Sequence, residues 1–217
     1  MTHTVHPYAH RIGILRGWKS RWFSEGDDYK KSLKADVLIR EFLEEKLRTF
    51  HVSSIEMERG KDQLSIIIKT SRPGLVIGRE GEGVTQLKKD LDVFMTRNKI
   101  RDKRDVRIDV QEVRSPESNA AIVAQMVREG LERRLPFRRV LKQTIDKVMA
   151  NRDTKGVRIG LAGRLGGSEM SRKEELKKGR IPLQTLRADI DFAQEVARLP
   201  YGVIGVKVWI YRGEIFE

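Results

Sequence analysis

The stretch that most limits what this chain can fold into runs Pro73-Gly74-Leu75-Val76-Ile77-Gly78-Arg79-Glu80-Gly81. An alternating apolar run precedes it and a helix-periodic run follows. Gly78 and Gly81 frame two charged residues, so the spacing predicts a tight turn where a strand hands over to a helix. Glycine turns with φ > 0 and lets its backbone approach a ligand closely. The first N–H groups of the following helix are unpaired and suit an anion such as phosphate. Any tight turn can carry this spacing, so its meaning depends on the elements around it.

Those elements are legible as periodicities. Residues 29–50 read as a helix, with Val37, Leu38, Phe42, Leu47 and Phe50 on its apolar side. Ile55 and Met57, then Leu64, Ile66 and Ile68, alternate on either side of the turn Gly60-Lys61-Asp62, which predicts a hairpin. After the glycine loop, Val84, Leu87, Leu91, Phe94 and Met95 recur at helical spacing. A charged bridge from Arg97 to Arg104 leads to a strand carrying Val106, Ile108 and Val110. The order helix, strand, strand, glycine loop, helix, strand resembles the type II KH fold. In KH domains a Gly-x-x-Gly loop clamps about four nucleotides of single-stranded nucleic acid.

A second domain begins at Ser115-Pro116-Glu117, where Ser115 reads as an N-cap and Pro116 as a first helical residue. Ala120, Ala124, Val127 and Leu131 predict one helix, ended by Pro136. Phe137, Leu141, Ile145 and Val148 predict the next. On that second helix Arg138, Arg139 and Lys142 fall together, away from the apolar stripe, with Arg133 and Arg134 at the preceding corner. No acidic residue lies between Arg133 and Lys142, so local ion pairing does not account for the patch. Val157, Ile159 and Leu161 alternate next. Gly163-Arg164-Leu165-Gly166-Gly167 reads as a turn or close backbone approach, and 168–178 as a polar edge strand or hairpin. Leu186, Ala188, Ile190 and Phe192 then point inward, with Arg187, Asp189 and Asp191 outward. Ile204, Val206, Val208 and Ile210 form the clearest alternation in the chain. Two helices followed by several such strands predict helices packed on one side of a mostly antiparallel sheet. The expected organisation is therefore α+β in two domains: an arm over 1–28, a KH domain over 29–114 and a C-terminal domain over 115–217.

Charge narrows the partners. Lys and Arg total 44 against 31 Asp and Glu, a net +13 that favours polyanions. The arm mixes cations and rings in Arg16-Gly17-Trp18-Lys19-Ser20-Arg21-Trp22, whose indoles either stack on bases or pack on the body. His3, His6 and His10 lack carboxylate or thiolate companions and read as an exposed tail rather than a metal site. There is no cysteine, no apolar run long enough to span a bilayer and no apolar signal core. A soluble cytoplasmic protein is the simplest class.

Catalytic signatures are missing. Gly78 to Thr85 has the glycine spacing of a phosphate-binding loop but places Val84 where the lysine belongs. Gly166-Gly167-Ser168 does not complete a nucleophile elbow. Asp189 and Asp191 share a face with Arg187 and read as an ion-paired surface. No enzymatic activity, cofactor, metal or small-molecule substrate is expected.

Several segments together carry a specific likeness: Val5-His6-Pro7, Arg72 to Gly78, Leu131-Glu132-Arg133-Arg134, Phe137-Arg138-Arg139, Gly163 to Gly167, Thr185 to Asp191 and Tyr201 to Ile210. In this order the chain resembles the bacterial ribosomal protein S-three family over nearly its whole length. The resemblance implies a structural constituent of the small-subunit head that binds ribosomal RNA and contacts proteins S-ten and S-fourteen. It also implies a position lining the channel where messenger RNA enters, with Arg138, Arg139 and Lys142 facing the message and assisting its unwinding. The RNA-binding set expected from motif and resemblance together is Gly78, Arg79, Gly81, Arg133, Arg134, Arg138, Arg139, Lys142 and Arg164. Two departures bear on that set. Glu80 and Glu82 put repulsive charge at the glycine loop, and Glu174-Glu175-Leu176 lacks the aromatics frequent in related hairpins. A free-standing KH regulator would need no second domain of equal size with ribosomal patterning.

Overall fold

A computed structural model describes residues 5–100 and 104–216. His3 and the middle of the charged bridge lie outside them. The described residues form two compact units. One comprises Trp18–Arg114; the other joins the residues up to Gly17 with Ser115 onward. The arm expected over 1–28 is thus divided between the units.

In the first unit, strand β1 (Ser20–Arg21) precedes helix α1 (Gly26–Lys46), and β2 (Val52–Arg59) and β3 (Gln63–Thr70) form the hairpin. Helix α2 (Pro73–Ile77), helix α3 (Glu82–Arg97) and strand β4 (Asp105–Glu112) complete it. The sheet order is β1-β2-β3-β4, with β2 and β3 antiparallel and β4 parallel to β3. Leu64, Ile66 and Ile68 are fully buried, as period-2 alternation requires of a sheet with one covered face. They meet Ile39, Leu43 and Leu47 of the α1 segment and Leu87 and Leu91 of α3.

Two details differ from the periodicity reading. The inward stripe of α1 is Ala35, Ile39 and Leu43, and Val37 is 43% exposed. A run of i+4 steps beginning at Ala35 sets the phase, and Val37 lies off it. Leu75-Val76-Ile77 belongs to a five-residue helix, so a short helix rather than a strand enters the glycine loop. A segment this short cannot display a 3.6-residue period.

Asp36, also buried, explains part of the arm. Its carboxylate accepts from Trp22 Nε1 at 2.7 Å and from Arg59 Nε at 2.8 Å. Trp22 therefore packs on the body, whereas Trp18 stays 67% exposed. Across the sheet, burial pushes the Glu56 carboxyl up, but hydrogen bonds and charge from Lys69 and Arg21 outweigh it and hold the group below the usual carboxylate range.

The second unit contains helices α4 (Ala120–Glu132) and α5 (Phe137–Ala150) and strands β5 (Gly156–Gly163), β6 (Arg172–Gly179), β7 (Ala188–Leu199) and β8 (Gly202–Glu214). The sheet order is β6-β5-β8-β7, antiparallel throughout. The helices bury Ala120, Ala124, Val127, Leu131, Leu141, Ile145 and Val148 against Val157, Ile159, Leu161, Ile204, Val206, Val208 and Ile210. Strand β6 is one of the two edges, and its lysines and arginine suit a strand that must not pair further.

The cap of α4 is Asn119, not Ser115. Its side chain accepts from Ala121 N and Ile122 N, while Ser115 heads only a 3-10 turn over Pro116–Ser118. Asp191 adds a second cap from another strand, its Oδ2 accepting from Ala120 N at 2.9 Å.

On the opposite sheet face Ala188, Ile190, Trp209 and Tyr211 form a smaller apolar cluster. Residues 5–17 belong to this unit and are no loose tail. His6 and His10 are exposed, but Pro7 and Arg11 are buried. The Arg11 guanidinium donates to the carbonyls of Pro7, Leu183, Thr185 and Ala188 at 2.7–3.0 Å. Burial lowers its pKa, and the nearby Asp189 opposes that shift. Arg16 Nη2 donates to Asp189 Oδ1 at 2.6 Å, and Arg212 Nη2 to Asp191 Oδ2 at 3.1 Å. Arg187, the partner expected for these aspartates, pairs with Glu214 instead.

Replacing Arg11 with alanine leaves four carbonyls short of donors, two of them buried and two partly buried. The expected cost is about 3 kcal/mol of stability in this unit. Urea unfolding followed by the fluorescence of Trp209 would measure it, and a change below about 0.5 kcal/mol would contradict the assignment.

Candidate nucleic-acid interface

The glycine loop takes its shape from three residues in the left-handed region: Gly78 (φ 72), Glu80 (φ 52) and Gly81 (φ 81). A Cβ on Gly78 would meet the Gly83 nitrogen at 2.9 Å. Gly83 has no such φ, yet its Cβ would lie 2.5 Å from the Val76 carbonyl oxygen. Sequence reasoning passed over Gly83 because its demand is for space between α2 and α3, which no local pattern reveals. Gly81 is the N-cap residue of α3 and no side chain caps that end, leaving backbone N–H groups toward solvent. Arg79, Glu80 and Glu82 are all exposed. Arg79 has no ion-pair partner among the described residues, so the loop offers one free cation beside two carboxylates.

The basic helix is built differently. Val140, Leu141, Thr144, Ile145 and Val148 are buried on one side of α5. At 100° per residue this turns Arg138, Arg139 and Lys142 outward, and all three are exposed. The preceding corner is a Schellman motif: Leu135 N donates to Gly130 O at 3.1 Å and Arg134 N to Leu131 O at 2.8 Å. Arg134 occupies the left-handed position usually given to glycine, with φ 59. A non-glycine residue there costs about 1 kcal/mol and exposes one more cation. Arg134, Arg139 and Lys142 have no ion-pair partner among the described residues. Arg133 lies 3.9 Å from Glu129.

Arg138 does have an acidic neighbour, brought by the fold and not by the local chain. Glu174 on β6 sits 3.5 Å from Arg138 and 3.4 Å from Arg172. Both guanidinium groups also lie 5.6 Å from the centre of the Phe137 ring. Arg172 thereby extends the basic face onto the sheet edge, a neighbour invisible at 34 residues' separation. Glu175 pairs with Arg158 across the strands.

Arg164 is placed otherwise. Its Nε donates to Ser168 O at 2.9 Å and its Nη1 to Tyr201 O at 3.0 Å. It ties two loops together, and only part of its donor set faces outward. Arg164, Arg138 and the glycine loop are therefore unequal members of the expected set. Among the described residues no group of three or more His, Asp or Glu is positioned to hold a metal, and no helix is long and apolar enough to cross a membrane.

A glycine-framed loop on a helix–sheet unit, with a second unit displaying unpaired cations on a rigid helix, defines an RNA-binding protein of the KH class. The KH domain model matches residues 38–118, and the model described as ribosomal protein S3, C-terminal domain, matches 127–210. The small ribosomal subunit protein uS3 of Koribacter versatilis is 46% identical over 99% of this chain and 92% of its own length. That of Acidobacterium capsulatum is 43% identical over the whole chain and 93% of its own. That of Caldicellulosiruptor saccharolyticus is 42% identical, covering 99% and 94%. The chain belongs to the ribosomal protein S-three family, whose members are structural ribosomal proteins and not enzymes.

The geometry around Gly83 predicts that Gly83→Ala lowers the stability of the KH unit by about 1–3 kcal/mol, the usual range for overpacking. Hydrogen exchange of α2 and α3 amides would report it. Unchanged protection there would contradict the close approach.

Proposed function

We propose that the chain serves as a structural constituent of the small-subunit head, binding ribosomal RNA and guiding messenger RNA where it enters. The single observation that carries this reading is the trio Arg138, Arg139 and Lys142, exposed on a helix whose other side is locked into the core. Their charge suits a passing phosphate backbone because phosphate contacts hold a strand without reading its sequence. A strand held at several phosphates in extended form is disfavoured from re-pairing, so the face assists unwinding with no nucleotide cofactor.

The KH unit contributes ribosomal RNA contact through Gly78, Arg79 and Gly81, with Glu80 and Glu82 limiting how firmly that loop grips. Arg133 and Arg134 extend the α5 surface, and Arg164 acts by ordering its loops and offering its remaining donors. The neighbours in the particle are taken to be proteins S-ten and S-fourteen, and the compartment the cytoplasm. Family membership supports the ribosomal setting, and the exposed cations support the messenger contact.

Neutralising Arg138, Arg139 and Lys142 together should slow translation through messenger hairpins several-fold more than through unstructured messages. Ribosomes carrying the triple alanine variant, timed on paired reporters that differ only in a hairpin, would measure this. Equal slowing on both reporters would contradict the messenger role.

A further inference from the structure

Helices α4 and α5 cover one face of the sheet in the second unit. The other face carries a pattern of charge that neither the glycine loop nor the basic helix uses. We propose, resting on the reading of the chain as an RNA-binding ribosomal constituent, that this outer face binds the sugar–phosphate backbone of a further RNA segment. The unit then holds RNA on both of its sides.

Alternation decides what the outer face shows. Val157, Ile159 and Leu161 of β5 point to the helices, which turns Arg158, Gly160 and Ala162 outward. The register sets Lys177, Glu175 and Lys173 of β6 beside those three, and Trp209, Lys207 and Gly205 of β8 on their other side. Lys173, Lys177 and Lys207 are exposed, and none has an ion-pair partner among the described residues. Of the residues that share this patch, Glu175 alone is acidic. Arg158 holds it, through Nε at 2.8 Å and through Nη2. Beyond β8, strand β7 adds Gln194 beside Lys207 and Arg198 beside Val203, and no acid. The patch therefore keeps a net positive charge that its own carboxylate does not cancel.

The spacing of the cations and the floor between them select the occupant. Lys173 and Lys177 stand roughly 13 Å apart along β6, and Lys207 faces them across β5 at two strand spacings, roughly 10 Å. The floor between is Gly160, Ala162 and Gly205. Neither Gly160 nor Gly205 has a positive φ. A Cβ would meet its nearest atoms at 3.6 Å on Gly160 and at 3.8 Å on Gly205, which is ordinary contact. Neither the backbone nor the packing calls for glycine at these places, and glycine inside a strand costs stability. Bare strand backbone suits a ligand that approaches closely. Lysines on flexible stems at both sides can then meet phosphates without reading sequence. A protein partner would need a large apolar or aromatic anchor at the centre of its contact, and the centre here is glycine and alanine.

The full chain provides the test, with alanine already at Arg138, Arg139 and Lys142, so that the messenger reading of α5 does not enter the result. Its affinity for a fluorescein-labelled oligouridine is followed by anisotropy across a range of salt. Adding Lys173→Ala, Lys177→Ala and Lys207→Ala is expected to lower the log–log slope by a further ~2, at about 0.7 per phosphate contact. Gly205→Val, which alters no charge and suits a strand, should weaken binding several-fold by filling the floor. Lys30→Ala, Lys31→Ala and Lys34→Ala on α1 should change neither slope nor affinity. All these side chains are exposed or have room, and circular dichroism checks each fold. A slope that the sheet lysines leave unchanged, an equal fall from the α1 lysines, undiminished binding by Gly205→Val, or a glutamate-rich peptide that competes as well as unlabelled oligouridine would each overturn the proposal.

Discussion

The burial of Val140, Leu141, Ile145 and Val148 against an antiparallel sheet is what the basic face depends on. Each such side chain contributes about 1.5–3 kcal/mol when taken from water. Repulsion between two exposed cations is about 1 kcal/mol even at 4 Å in water, and less when screened by salt. The apolar stripe therefore wins, and the helix can hold like charges side by side without unwinding. Arg138 is 73% exposed where it meets Glu174. A pair that open contributes at most about 1 kcal/mol, so a phosphate can replace the carboxylate at little cost.

Charge in this chain sorts by burial. Arg11, Arg59 and Arg128 are each tied to internal acceptors: carbonyls for Arg11, Asp36 for Arg59 and Glu195 for Arg128. Removing any of them would strand a buried polar group. Arg79, Arg134, Arg139 and Lys142 are exposed and lack ion-pair partners among the described residues. The first set holds each unit together and the second is available to a ligand. Arg164 sits between them, committed to two carbonyls but not fully enclosed. The same sorting separates the acidic residues: Asp36, Asp189 and Asp191 are structural, whereas Glu80 and Glu82 are exposed beside the glycine loop.

Much of this architecture was legible in the chain because one-sided burial imposes a period. Leu64, Ile66 and Ile68 announced a strand, and Val206, Val208 and Ile210 another. The cations of α5 were placed correctly for the same reason: a stripe of apolar residues dictates what faces away from it. Periods fail where an element is shorter than its own repeat, as with Pro73–Ile77, or where competing residues shift the phase, as with Val37 in α1. They are also silent on distance. Asp191 caps a helix 71 residues away, Arg11 reaches carbonyls more than 170 residues on, and Glu174 approaches Arg138 only because β6 folds back beside α5. Gly83 and Asn119 were missed because a close approach and a specific cap depend on neighbours in space.

The central proposal is that the exposed cations of a rigid helix face hold RNA by its phosphates. The salt dependence of affinity tests it most directly, because each phosphate contact releases counterions. Binding of the full chain to single-stranded RNA would be followed across a range of salt, with and without alanine at Arg138, Arg139 and Lys142. The account predicts that the log–log slope falls by about 2 in the variant, at about 0.7 per phosphate contact. A variant that binds more weakly with an unchanged slope, or one that binds equally well, would contradict it.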